Sequence, residues 1–153
     1  MASALPEPER IRFRLPAKRK LPPLDDADER RERFYAIIND SLDAARPNIN
    51  TLLSTLDQAA YDRVKAAAKA EDKDVPTYMC DTLNTLAGAY AGYVTDEITI
   101  AEKETGADVT VGYIVTIVNE FSDMLGQHTA MQLYQTLTYE LDTALDEQCG
   151  VGR

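Results

Sequence analysis

At 153 residues, with 44% hydrophobic and 27% charged side chains, the chain has the size and composition of one globular domain able to bury a core of its own. Two cysteines, Cys80 and Cys149, are too few for a disulfide framework and read as reduced thiols in a cytoplasmic setting, with Cys80 expected to pack within a helix. A net charge of −10 argues against the body as a direct binder of nucleic acid, and the lack of any run of about 18 apolar residues argues against a membrane partner.

The charge is unevenly placed. Residues 1–24 carry Arg10, Arg12, Arg14, Lys18, Arg19 and Lys20 against Glu7 and Glu9, a net of +4, which leaves −14 for the rest. From Asp74 onward thirteen acids face only Lys103 and Arg153. The same front segment holds Pro6, Pro8, Pro16, Pro22 and Pro23. Proline has no amide donor and disfavours helix before itself, so residues 1–24 are expected to be an extended or disordered tail, and residues 25–153 an acidic helical domain. No apolar stretch in this tail resembles a secretory signal. Within it Arg10, Ile11, Arg12, Phe13, Arg14 and Leu15 alternate, so an extended chain puts three arginines on one edge and three apolar side chains on the other.

The first helix is expected to begin at Asp25 or Asp26, where acids suit the positive end of the helix dipole, and to end at Pro47. Phe34, Ile37, Ile38, Ser41, Leu42 and Ala45 form its apolar stripe. A second helix runs from about Ser54 to Asp72, with Ser54 and Asp57 spaced like a capping box and a thin stripe of Leu53, Leu56, Ala60, Val64 and Ala67. A third begins near Pro76, capped by Asp74, and can reach Thr105, with Gly106 as a stop. It buries Met79, Leu83, Leu86, Tyr90, Tyr93, Val94, Ile98 and Ala101. Its Ala87, Gly88, Ala91 and Gly92 suggest a close helix crossing. The fourth spans Asp108 to about Leu125, although Val109, Val111, Tyr113, Val115 and Ile117 also alternate and leave a hairpin through residues 105–107 as an alternative. Helix is favoured because the stripe of Ile114, Val118, Phe121 and Leu125 continues where alternation fails. The last helix runs from about Thr129 to Gln148 on Ala130, Leu133, Tyr134, Leu137, Leu141, Ala144 and Leu145, with Gly150 after it. Short loops between these segments predict an all-α, single compact bundle of about five helices.

Reactive constellations are sparse. The single histidine, His128, falls in an expected loop and shows no ligand spacing with Cys80 or Cys149. No Glu-x-x-His pair, nucleophile elbow or phosphate-binding loop occurs, so no cofactor, metal or catalytic residue is expected and the chain reads as a non-enzyme. Carboxylates cluster at Asp142, Asp146 and Glu147, and Asp142 shares a helix face with Asp146.

Three uses of the tail follow from its residues Arg10 to Leu15 with Lys18, Arg19 and Lys20. It can add to a partner's sheet edge with Ile11, Phe13 and Leu15 in pockets. It can touch nucleic acid through the arginine edge. It can fold onto an acidic patch of its own or a neighbouring subunit. The function expected first is therefore a protein–protein interaction or structural subunit, docking by its tail on a partner protein or in a homo-oligomer. An acidic inhibitor that mimics nucleic acid, presenting Asp142, Asp146 and Glu147, is the alternative. A helical enzyme with a small-molecule pocket lined by Tyr90, Tyr93, Tyr113 and Tyr134 comes last.

Overall fold

The computed structural model describes residues 17–95 and 107–149. Among these residues there are five helices and no strand. They are α1 (Ala27–Ser54), α2 (Gln58–Ala70), α3 (Val75–Thr95), α4 (Ala107–Leu125) and α5 (Gln127–Cys149). The fold is an all-α compact bundle, and residues 107–118 are helical rather than half of a hairpin. The readings that concern residues 1–16, the stretch from Asp96 to Gly106, and Gly150 lie outside the described residues. None of the helices described is long and apolar enough to cross a membrane.

Side-chain caps set most helix starts. Asp26 accepts from the Asp28 amide at 2.7 Å at the head of α1, Asp57 from Ala60 at 2.8 Å at α2, and Asp74 from Thr77 at 2.8 Å at α3. Each satisfies an amide that has no partner inside its helix. Asp57 caps without the help of Ser54, whose hydroxyl donates instead to the Thr51 carbonyl at 2.8 Å inside the last turn of α1. The end of α2 is closed by two reverse bonds, from Asp72 to the Lys69 carbonyl at 2.9 Å and from Lys73 to Ala68 at 3.0 Å. This Schellman arrangement puts Asp72 at a φ of 58°, where glycine is the usual occupant.

The long helices pack as a four-sided bundle. α1 lies along α5, α5 along α4, α4 along α3, and α3 touches α1 less closely, while α2 covers one end of the α3–α4 pair. Neighbours run antiparallel: the Ser41 hydroxyl of α1 reaches the Glu140 carbonyl of α5 at 3.5 Å, and the Tyr78 hydroxyl at the start of α3 reaches the Met124 sulfur at the end of α4 at 3.8 Å. Phe34, Ile38, Leu86, Val118, Phe121, Leu133, Leu137 and Leu141 meet in the centre and are buried. Each such side chain contributes about 1.5–3 kcal/mol of burial.

Four local expectations give way to tertiary packing. Pro47 does not end α1, which continues about two turns past it to Ser54. Pro47 is exposed, so the ladder bond it omits faces water, while the following turn places Ile49 in the core and Leu52 and Leu53 against it. His128 is not in a loop: a single residue, Gly126, joins α4 to α5, and His128 lies exposed in the first turn of α5. Gly126 has a φ of 91°, donates to the Ser122 carbonyl at 2.9 Å and accepts from the Ala130 amide at 3.0 Å, ending one helix and starting the next. Cys80 does not pack but is exposed, because α1 stands off from α3 at that level. Of the small residues expected to make a close crossing on α3, Ala87, Ala91 and Gly92 are buried, whereas a Cβ at Gly88 would meet nothing within 4 Å.

The two glycines therefore predict opposite outcomes. Gly88→Ala should stabilise by about 1 kcal/mol through helix propensity alone. Gly126→Ala should destabilise by about 1–2 kcal/mol through its left-handed backbone. Urea unfolding followed by circular dichroism should move the midpoint up for the first and down for the second.

Candidate functional site

The acidic end of α5 needs a compensating charge. Asp142 and Asp146 lie one turn apart in its last two turns, where the helix dipole is negative, and no basic residue stands in the last turn. The missing cation arrives from outside the helices. Residues 17–24 carry no helix or strand and lie against the bundle, with Leu21 packed on the core. Arg19 Nε donates to Asp146 Oδ1 at 2.6 Å, and Arg19 Nη2 stands 3.2 Å from Asp142 Oδ1. The backbone amide of Arg19 donates to the Val94 carbonyl of α3 at 2.6 Å. One residue thus ties the segment to two helices by both its main chain and its side chain.

The surroundings of this clasp are half buried. The Arg19 side chain keeps 16% of its exposure, against 35% for Asp142 and 40% for Asp146. The Tyr90 hydroxyl donates to both Asp142 oxygens, at 3.1 and 3.2 Å, and its ring meets Tyr134 edge-on with centroids 6.1 Å apart. Burial pushes the Asp142 carboxyl above its ordinary range, and Arg19 and the Tyr90 hydroxyl pull it part of the way back. Burial of Arg19 works to lower its own pKa, but the bond to Asp146 and the charge of Asp142 outweigh it, and the net shift is upward. Burial and the Asp142 charge push the Tyr134 phenol up to about 12 and Tyr90 higher still, so both hydroxyls keep their protons. Beside the clasp, the Lys18 ammonium sits 4.3 Å from the centroid of the Tyr93 ring, a cation–π contact.

Of the residues singled out from sequence, Lys18, Arg19, Asp142 and Asp146 come together here, whereas Lys20 and Glu147 point to solvent. Arg10, Ile11, Arg12, Phe13, Arg14 and Leu15 lie outside the described residues. The tyrosines expected to share a pocket divide: Tyr90 and Tyr134 support the clasp, Tyr93 carries Lys18, and Tyr113 is exposed on α4. The Val94 carbonyl has no signature in sequence, and only the fold brings it to Arg19. Arg19 covers the Asp142–Asp146 pair, so the arrangement can hold a chain segment. Among the described residues no group of three or more His, Cys, Asp or Glu side chains could hold a metal ion.

A second feature is an open groove of about 460 Å³ between α1 and the first half of α3, flanked by Arg46 and Cys80. No protein-family model matches the chain, and neither the curated proteins nor the solved structures include a match to it.

The raised Asp142 pKa gives the clasp a pH signature. The folded state holds the Asp142 proton more tightly than the unfolded chain, whose carboxyl titrates near 3.8. Between those two values the folded state binds more protons, so stability falls as pH rises, and Arg19 limits that loss. Arg19→Ala raises the folded pKa further and enlarges the penalty at neutral pH. The variant should lose about 2 kcal/mol at pH 7 and clearly less near pH 3.5, and adding Asp142→Asn should restore part of the loss at pH 7. Paired urea titrations at the two pH values measure this, and an equal loss at both would rule out the electrostatic account.

Proposed function

We propose that this chain is a non-enzymatic interaction subunit that docks, through the alternating segment Arg10–Leu15, on a partner protein or a neighbouring subunit. The supporting observation is the clasp. Arg19 ties residues 17–24 to α3 and α5, so the base of the tail is held at a defined place on the body. Anchoring both ends of the recognition problem, a rigid body and a short tether, reduces the entropy lost on docking. Ile11, Phe13 and Leu15 supply apolar anchors, and Arg10, Arg12 and Arg14 favour an acidic rim.

The clasp also weighs against the decoy reading. A nucleic-acid mimic needs free carboxylates, yet Asp142 and Asp146 are engaged by the chain's own arginine, and a basic partner would have to displace it. An enzyme reading gains no support from Tyr90 and Tyr134, whose phenols serve the clasp and stay protonated.

The triple variant Ile11→Asp, Phe13→Asp, Leu15→Asp leaves every described contact intact. It should lower the assembly mass in light scattering, or lose a partner that the parent chain captures from its host, while keeping the parent's melting temperature within about 2 °C. Unchanged mass together with unchanged capture would sink the docking role.

A further inference from the structure

We infer that residues 17–24 act as a displaceable strap: they keep shut a receptor on α3 and α5 that takes an extended lysine–arginine segment of a partner protein, with Lys18 and Arg19 as the built-in competitor. The inference is independent of where residues 10–15 dock. It starts from the chemistry of the seat. Asp142 and Asp146 stand one turn apart and share one guanidinium, the Tyr90 hydroxyl is bonded to Asp142, the Tyr93 ring takes an ammonium, and the Val94 carbonyl takes a main-chain amide. Arginine suits the carboxylates because its planar fork serves two acceptors at once, and a ring face suits the second cation. Together these groups read a basic dipeptide in extended form, main chain included. None of them depends on that dipeptide being joined to α1.

The strap fills the seat loosely. It has neither helix nor strand, and Pro22 and Pro23 bring no amide donors. Among the described residues its main chain is bonded to the helices only at Arg19. Lys20, Pro22 and Pro23 are exposed, which leaves Lys18 on its ring and the half-buried Arg19, Leu21 and Leu24 to hold it. The strap also leaves the seat short of positive charge. One guanidinium faces two carboxylates at the negative end of α5, and both carboxylates are more exposed than the arginine that covers them. Burial still holds the Asp142 carboxyl above its ordinary range. A segment that brings a further cation improves on the strap, and the exposed carboxylates let it bind before the strap has left.

The same groups select the visitor. A lone cation cannot replace the main-chain bond to Val94, and the basic groove of a nucleic-acid-binding enzyme offers cations on a folded surface without a free main-chain amide. An extended peptide brings both. The net negative charge of the body draws basic segments toward it at long range.

The probe is a fluorescent peptide with the sequence of residues 17–24, titrated against the full chain and read by anisotropy. It should bind the Arg19→Ala chain, whose carboxylates are uncovered, about tenfold or more tightly than the parent, whose tethered strap competes. Adding Asp142→Asn and Asp146→Asn to Arg19→Ala, or replacing the peptide's arginine by alanine, should abolish binding, and about 0.5 M salt should weaken it severalfold. In the unmutated chain, excess peptide should speed hydrogen exchange at the Arg19 amide, which its bond to Val94 protects. That measurement needs no substitution, so it decides the matter even where a variant loses its helical circular dichroism. No binding to the Arg19→Ala chain, equal affinity for that chain and the parent, binding that survives removal of both carboxylates, or an Arg19 amide that stays protected under excess peptide would each overturn the strap as a competitor.

Discussion

The arrangement at the clasp end of the bundle turns on an arginine that enters from outside the helices. α5 ends in acids at the negative pole of its own dipole, an unfavourable placement that the helix cannot correct from within. Arg19 corrects it from a segment more than a hundred residues earlier, with Asp146 at 2.6 Å and Asp142 at 3.2 Å. A half-buried pair of this kind is a modest source of net stability, since desolvation offsets much of the attraction. Its larger consequence is positional: bonding through the guanidinium and the main-chain amide at once sets where the tail joins the body. Tyr90 and Tyr134 complete the site by shielding Asp142 and leaving its oxygens fully engaged.

The clasp also accounts for the segregation of charge along the chain. A body of −14 is soluble but repels copies of itself and attracts any basic segment nearby. Joining the six cations of the front segment to that body in one chain places the attraction under covalent control, because the effective concentration of a tethered arginine far exceeds that of a free partner. Arg19 and Lys18 are spent on the body.

The sequence announced much of this fold through periodicity. The stripes on α1 and α5, the start of α1 at Asp26 and the cap at Asp74 all follow from local chemistry, and the structure reproduces them. Pro47 and Cys80 read differently in the fold because neither is governed locally. The helix past Pro47 is held by burial of Ile49, which outweighs one missing ladder bond on a solvated face. Cys80 sits on the apolar stripe of α3, and what exposes it is the spacing between two helices remote in sequence. The clasp was half legible. Opposite charge at the two ends of the chain pointed to a contact between tail and acidic face, but the choice of Arg19 over Lys20, and of Asp142 and Asp146 over Glu147, depends on the rotation of α5 about its axis and on a carbonyl of α3.

The groove follows from the same packing that makes the clasp. α3 touches α1 less closely than it touches α4, so the bundle is closed on three sides and open on the fourth. The bundle could have filled that seam with one larger side chain per turn, and cavities left open cost stability in proportion to their volume. Here the seam is instead edged by Asn39, Asn50 and Asn84, residues that suit a hydrated or peptide-lined rim better than a closed core.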